Sequence, residues 1–207
     1  GDDRPATQGA GRYKRRVVRV YSVPIPEEDR GRVRELLRWY TSLLQRAIDR
    51  MWGNMSWEFR APKLVREENG ELRARVGKLH VPYFPWNKDF MRTLRQELVE
   101  LNRGYSKRWV DSMIREAGRI LKIWRKRYLR GRAKKIKPLV RKPYARARWG
   151  RMSVNYSDHT IRVTLRPGEH LWISWKGAWF SKRVEGWKVG EVILQEDRVL
   201  IPFIRAD

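Results

Sequence analysis

Between Ala117 and Ser157 the chain has no aspartate or glutamate, yet it carries fifteen basic side chains: Arg119, Lys122, Arg125, Lys126, Arg127, Arg130, Arg132, Lys134, Lys135, Lys137, Arg141, Lys142, Arg146, Arg148 and Arg151. A solvated helix face ordinarily mixes signs, so that opposite charges four residues apart can pair. An unrelieved positive run forgoes that pairing, repels itself and implies an external counter-charge. Arginine predominates early in the run, and its planar fork suits phosphate oxygens taken in pairs. Tyr144 and Trp149 sit among these cations outside any apolar period, which makes them candidates to stack on unpaired bases. These seventeen positions form the candidate nucleic-acid-binding set. Trp124 and Tyr128 lie in the same stretch but fit an apolar helical stripe, so both are read as core.

Other chemistries find little to stand on. Metal-assisted phosphodiester hydrolysis needs several acids converging on Mg²⁺. The acids here read as helix-start or helix-surface groups (Glu27, Glu28, Asp29, Glu97, Glu100) or turn residues (Glu68, Asp158, Glu196, Asp197), with Asp111 and Glu116 placed to pair nearby arginines. His80, His159 and His170 lack metal-ligand spacing and read as turn or packing residues. With no cysteine, a thiolate metal site, a thiol nucleophile and a disulfide are all excluded. No Gly-Lys-Ser/Thr loop cradles a phosphate. The expectation is therefore no catalytic residue, no metal site, no cofactor and no small-molecule substrate within this chain.

Lys and Arg number 48 against 23 Asp and Glu, for a net charge of +25, so a polyanion is the expected partner. Hydrophobic residues make up 41% and tryptophans number 11, which supports a folded core rather than a basic tail. No run of about 18 apolar residues and no short apolar segment behind a basic terminus is present, which points away from membranes and towards the cytoplasm. The abundance of Arg hints at a thermophilic source. The opening Gly1-Asp2-Asp3 reads as a processed end, as in a piece of something longer.

The elements that must carry these residues follow from periodicity. Residues 1–12 read as a leader, and the β-branched stretch Tyr13–Val23, ending at Pro24, as a first strand within 13–25. Pro26 and three acids open a helix whose apolar positions are Val33, Leu36, Leu37, Tyr40, Leu44, Ala47, Ile48 and Met51, stopped at Gly53-Asn54. Asn69-Gly70 predicts a hairpin between Leu64-Val65 and Leu72–Leu79. His80–Trp86, broken by two prolines, reads as an aromatic loop. Asn87 caps a second helix, and Ser106 caps a third that ends at Gly131. The expected organisation is a helical insertion over 26–131, a basic linker over 132–148 and further strands over 149–207: Trp149–Tyr156, Ile161–Leu165, Leu171–Trp175, Trp187–Leu194 and Val199–Ile204. The isolated first strand needs a sheet, and only the C-terminal strands offer one. The fold class is α+β, a small β-barrel interrupted by helices.

This order resembles the N-terminal half of the TnpB family, transposon-encoded RNA-guided nucleases related to type V CRISPR effectors. The resemblance rests on Val17–Val23 running into Pro24-Ile25-Pro26, on Ala47–Trp52 ending the long helix, and on the basic helix tail followed by Lys142-Pro143-Tyr144-Ala145-Arg146. Ile161–Leu171 and Val189–Leu194 look like archaeal members. It spans about Tyr13 to Ile204 and implies a wedge-type barrel with a helical recognition insertion. It also implies guide RNA and target DNA as partners, and a parent that is an RNA-guided DNA endonuclease. The family's RuvC-like catalytic domain, and the Mg²⁺ it would use, fall after the last strand, so catalysis carries over to no residue here. The alternative is a basic structural RNA-binding module of a ribonucleoprotein, with no DNA target.

Overall fold

The computed structural model describes residues 15–75 and 80–206. The expected leader, Tyr13 and the hairpin arm near Leu79 lie outside the described residues. The protein is mixed α+β and divides into two compact units. One comprises residues 1–38, 104–108 and 143–207, and the other 39–103 and 109–142.

The first unit is built on the two ends of the chain. Strand β1 (Arg16–Pro24) pairs antiparallel with the last strand, β12 (Arg198–Ala206), over nine residue pairs from Arg16↔Ala206 to Pro24↔Arg198. On its other side β12 meets β10 (Lys188–Val189) and β11 (Val192–Leu194), and β11 pairs with β6 (Ala145–Ala147). A second sheet has the order β7 (Ser153–Ser157), β8 (Thr160–Arg166), β9 (Glu169–Ser174). The period of two is clean: Ile161, Val163 and Leu165 on β8, Leu171 and Ile173 on β9, and Val199, Ile201 and Phe203 on β12 are all buried. Aromatic rings fill the same interior, with Tyr21 stacked on Phe180 at 4.4 Å and Trp175 edge-on to Phe203 at 5.3 Å.

Two expectations need correction here. The stretch expected as linker up to residue 148 carries a strand at Ala145–Ala147, whose small side chains are fully buried. The strand expected over Trp187–Leu194 breaks at Gly190-Glu191. Val189 faces Phe203 and Ile193 faces Leu200, so four steps on one strand match three on the other, which is a bulge. Pro202 explains its position. Its carbonyl accepts from the Gly190 amide at 2.8 Å, and a proline has no N–H to return, so the ladder cannot continue there. A Cβ on Gly190 would lie 3.0 Å from Ile204 Cδ1 and 3.1 Å from Pro202 Cγ, so a larger residue there would require these side chains to shift.

Helix α1 (Arg30–Gly53) is about 36 Å long at 1.5 Å per residue, and a 3₁₀ turn over Glu27–Asp29 leads into it. Its start is tied within the first unit by Arg32, which bonds Asp29, Glu169 (3.1 Å) and the His170 carbonyl (2.7 Å). Every apolar position expected on its core face is buried.

In the second unit the later turns of α1 pack with α2 (Lys88–Glu100) and α3 (Arg108–Leu129). The Asn87 side chain caps α2 by accepting from the Phe90 amide at 2.9 Å, and Ser106 Oγ accepts from the Arg108 amide at the start of α3. Tyr40 meets Trp109 edge-on, and its hydroxyl bonds Ser112 at 2.9 Å in the core. Gly131 (φ +73°) ends α3 in a Schellman arrangement, with Arg132 N–H on the Arg127 carbonyl and Gly131 N–H on that of Tyr128. The Asn69-Gly70 hairpin forms as expected between β3 (Lys63–Arg66) and β4 (Leu72–Arg75). His80–Tyr83, expected as loop, is instead β5, paired with β2 (Ser56–Phe59). Pro82 is tolerated because this sheet has only two strands, so β5 has an open edge to which no N–H need be given.

Glu97 on α2 holds Arg46 (2.5 Å) and Arg50 (3.1 Å), one turn apart on α1. Its hydrogen bond from Arg46 lowers its pKa from the ordinary carboxylate value, with Arg50 assisting. A depressed folded-state value means stabilisation that is present above the unfolded carboxylate pKa and lost as pH falls through the folded one. Glu97→Gln is therefore expected to lower Tm at pH 7, and this deficit should shrink towards zero below the carboxylate range, as read by thermal melts across a pH series.

Candidate nucleic-acid interface

The seventeen candidate residues divide between the units. Arg119 to Lys142 fall in the second unit, while Tyr144, Arg146, Arg148, Trp149 and Arg151 fall in the first. They are therefore two separate sets, and each has its own geometry.

On α3 the apolar stripe that includes Trp109, Met113, Ala117, Leu121, Trp124 and Tyr128 is buried, which fixes what the opposite face must present. Arg115, Arg119, Lys122, Lys126 and Arg130 recur at intervals of three and four and lie along that outer face. They form a cationic line about 22 Å long, from the helical rise. Arg119 is engaged internally, with Nε and Nη2 on the two oxygens of buried Glu116 at 2.7 and 2.8 Å. Asp111 likewise takes Arg95, at 2.7 Å.

The segment after α3 has no regular structure over most of its length, yet it is held. Trp124 Nε1 donates to the Lys134 carbonyl at 3.0 Å. Gln45 accepts from the Val140 amide at 2.7 Å and donates to the Pro138 carbonyl at 3.2 Å. Lys137 pairs with Asp49 at 3.0 Å. Two cations serve the unit itself: Arg125 donates to the Pro82 carbonyl at 2.7 Å, and Lys135 lies 4.0 Å over the Trp57 ring. Trp57 belongs to a cluster with Trp52, Trp124, Tyr128 and His80. Trp124 and Tyr128 are thus core, as expected from the stripe.

In the first unit Arg146 lies on β6 with Nη1 3.6 Å from Glu191. Arg148 accepts turn amides on its carbonyl and is half-buried, Tyr144 is half-buried, and Trp149 and Arg151 are exposed. Of the fifteen cations, only Arg119, Lys137 and Arg146 meet a carboxylate within 4 Å among the described residues. Lys122, Lys126, Arg127, Arg130, Arg132, Lys134, Arg141, Lys142 and Arg151 lie at the surface without one. Nine of the fifteen cations of the run are thus exposed and unpaired with the chain's own described acids.

The histidines behave as turn and packing groups. His159 occupies the β7–β8 turn at φ +64°, His170 bonds Thr164 at 3.0 Å, and His80 packs on Trp57 and Phe59. No group of three or more His, Cys, Asp or Glu that could hold a metal occurs among the described residues. Nor is any described helix long and apolar enough to cross a membrane. Sequence patterning does not separate buried from exposed aromatics in the C-terminal strands. Trp175 and Phe180 are core, whereas Trp172 and Trp179 are exposed and Trp187 is half-buried.

Comparison with known proteins gives a family. Residues 36–164 match the model of the Uncharacterized protein MJ0013 family. The chain is 27% identical over 161 residues to the TnpB-like protein MJ1635 of Methanocaldococcus jannaschii, a match covering 77% of this chain and 34% of that protein. It is also 29% identical over 141 residues to the Uncharacterized protein MJ0013 of the same organism, covering 64% of this chain and 82% of the relative. The chain thus spans about a third of the TnpB-like relative but most of the other. With more than half of its length inside the family model, this chain belongs to the MJ0013 family, and over 77% of its length it is similar to a TnpB-like protein.

Proposed function

We propose that this chain is the nucleic-acid-binding portion of a TnpB-like, RNA-guided DNA endonuclease, working in the cytoplasm on guide RNA and target DNA. In this reading the two sheets of the first unit serve as the wedge-type barrel, and the second unit as the helical recognition insertion. Cleavage chemistry is assigned to none of its residues. The observation that carries the reading is the outward cationic line of α3, continued by Arg132, Lys134, Arg141 and Lys142, with no carboxylate partner for these last four among the described residues. Such a surface binds phosphate backbone without reading bases, which suits a protein whose sequence specificity comes from guide pairing.

One observation favours a second reading. The MJ0013 relative is matched over 82% of its length, so in this family a protein can consist largely of this unit. A basic structural RNA-binding module, with no DNA target, would need nothing more. A competition assay separates the two: DNA bearing a short fixed motif alters RNA-loaded protein only under the first reading.

Charge reversal at Lys122, Lys126, Arg130 and Lys134 is expected to weaken binding to structured RNA. It should also flatten the slope of log K against log salt by roughly 0.7 to 0.9 for each phosphate that is no longer neutralised. An unchanged slope, measured by anisotropy over a salt series, would place the binding surface elsewhere. The early part of the following segment is pinned by the Trp124 indole, while Gln45 and Asp49 hold its later part. Trp124→Phe keeps an aromatic ring but leaves the Lys134 carbonyl without its donor, a cost of about 1 kcal/mol. Limited proteolysis is expected to show faster cleavage within 132–137 in that variant, and unaltered kinetics would refute the pinning role.

A further inference from the structure

The first unit contains a second place suited to nucleic acid, away from the α3 stripe in sequence. Around the β10–β11 bulge lies a cavity of about 740 Å³, within the 300–1,000 Å³ typical of ligand sites. Its aromatic wall is Trp149 and Trp187, and its cations are Arg16, Lys188 and Arg205. Strand pairing explains the grouping: Arg16 lies opposite Ala206 and Lys188 opposite Ile204, so β1 and β10 bring one cation each to the same end of β12. Arg205 holds its guanidinium 4.9 Å over the Trp187 ring. A second cavity, of about 480 Å³, adjoins it through shared walls at Asn155, Gly186, Trp187 and Val189. That second space has a different chemistry: no Lys or Arg lines it, and Asp158 and Glu185 do.

Cations, then indoles, then carboxylates is the polarity of a nucleotide, which has an anionic phosphate, a flat base and N–H donors on the base edge. Resting on the reading of this chain as nucleic-acid-binding, we propose that the trough takes one unstacked nucleotide of a single strand. The phosphate lies against Arg16, Lys188 and Arg205, and the base stacks on the indole wall. The base edge donates towards Asp158 and Glu185, as carboxylates accept from base amino groups elsewhere. A paired duplex cannot fill the trough, because its bases are stacked and their edges are taken. RNA and DNA strands share the chemistry, and the experiment separates them.

The test uses the full chain with fluorescent oligocytidylate, oligodeoxycytidylate, and blunt RNA and DNA duplexes, read by anisotropy, since cytosine offers an amino donor on its edge. Trp149 is 37% exposed, so Trp149→Ala leaves the core intact. It is expected to weaken single-strand binding by about five- to a hundredfold, the range for one stacked base, and to leave duplex binding unchanged. Trp149→Phe should restore most of the affinity, since it returns a ring. Loss on oligocytidylate alone makes the occupant RNA, loss on oligodeoxycytidylate alone makes it DNA, and loss on both means the trough takes either; each supports the proposal. Equal losses on single strands and duplexes, or none on either strand, overturn it while leaving the α3 reading standing. A wild-type chain that binds no nucleic acid overturns both.

Discussion

The nine-pair ladder between Arg16–Pro24 and Arg198–Ala206 is the constraint from which the first unit follows. It joins strands from opposite ends of the described chain, so everything between Ile25 and Asp197 is an excursion that must return. The entropy of loop closure over that distance opposes the ladder, and its hydrogen bonds and buried side chains must offset that cost. Once made, it puts β12 in the middle of its sheet. The alternation of Val199, Ile201 and Phe203 then defines a buried face, where Tyr21, Trp175 and Phe180 pack against Phe203. Pro202 would be a fault in a central strand, but its missing N–H faces the one interruption on that side. Proline and bulge are two halves of a single solution.

A net charge of +25 has to be carried without disrupting the fold, and the second unit shows how. The segment 132–142 is ordered chiefly by neutral donors and acceptors: an indole N–H, a glutamine amide and backbone carbonyls. Its ion pair, Lys137 to Asp49, is partly exposed and of the kind that contributes little. Ordering by neutral groups leaves the remaining cations facing outward with their charge uncancelled. Were the segment held by salt bridges, the same interactions that fixed it would also cancel the field it presents.

Much of this is legible in the residues, and the reasons differ by element. The long helix announces itself because eight apolar positions repeat at three and four. The first strand belongs with the C-terminal sheet because nothing else could cover a β-branched run. The hairpin follows from Asn69-Gly70, whose glycine takes φ +88°. By contrast β5 is hidden, since two prolines in His80–Trp86 argue against any ladder, and Pro82 is seated only because one edge of β5 is open. Strand β6 is hidden by its setting: Ala145 and Ala147 are buried, but they are small and stand among arginines. The exposure of Trp172 and Trp179 beside buried Trp175 and Phe180 depends on strand faces and on a turn after β9, which no local pattern resolves. Within the candidate site, composition marks where charge accumulates. It cannot foretell that Arg119, Arg125, Lys135 and Arg146 are taken up by Glu116, Pro82, Trp57 and Glu191.

That distinction bears on what the protein can recognise. A helix line of lysines and arginines meets phosphates, which repeat identically along any strand, so it supplies affinity and register but no sequence information. Base identity has to be read by something that meets base edges. In the described residues the cationic face of α3 has nothing suited to that, because its aromatics, Trp124 and Tyr128, are turned into the core and bonded to backbone carbonyls. The trough proposed for an unstacked nucleotide, with Trp149, Trp187, Asp158 and Glu185, belongs instead to the first unit. Under the proposed reading the phosphate-binding line and the base-reading trough are carried by different units, so grip and discrimination can vary independently. If the proposed RNA-guided role holds, most discrimination is delegated to guide pairing, and the protein need read only a short stretch outside the paired region.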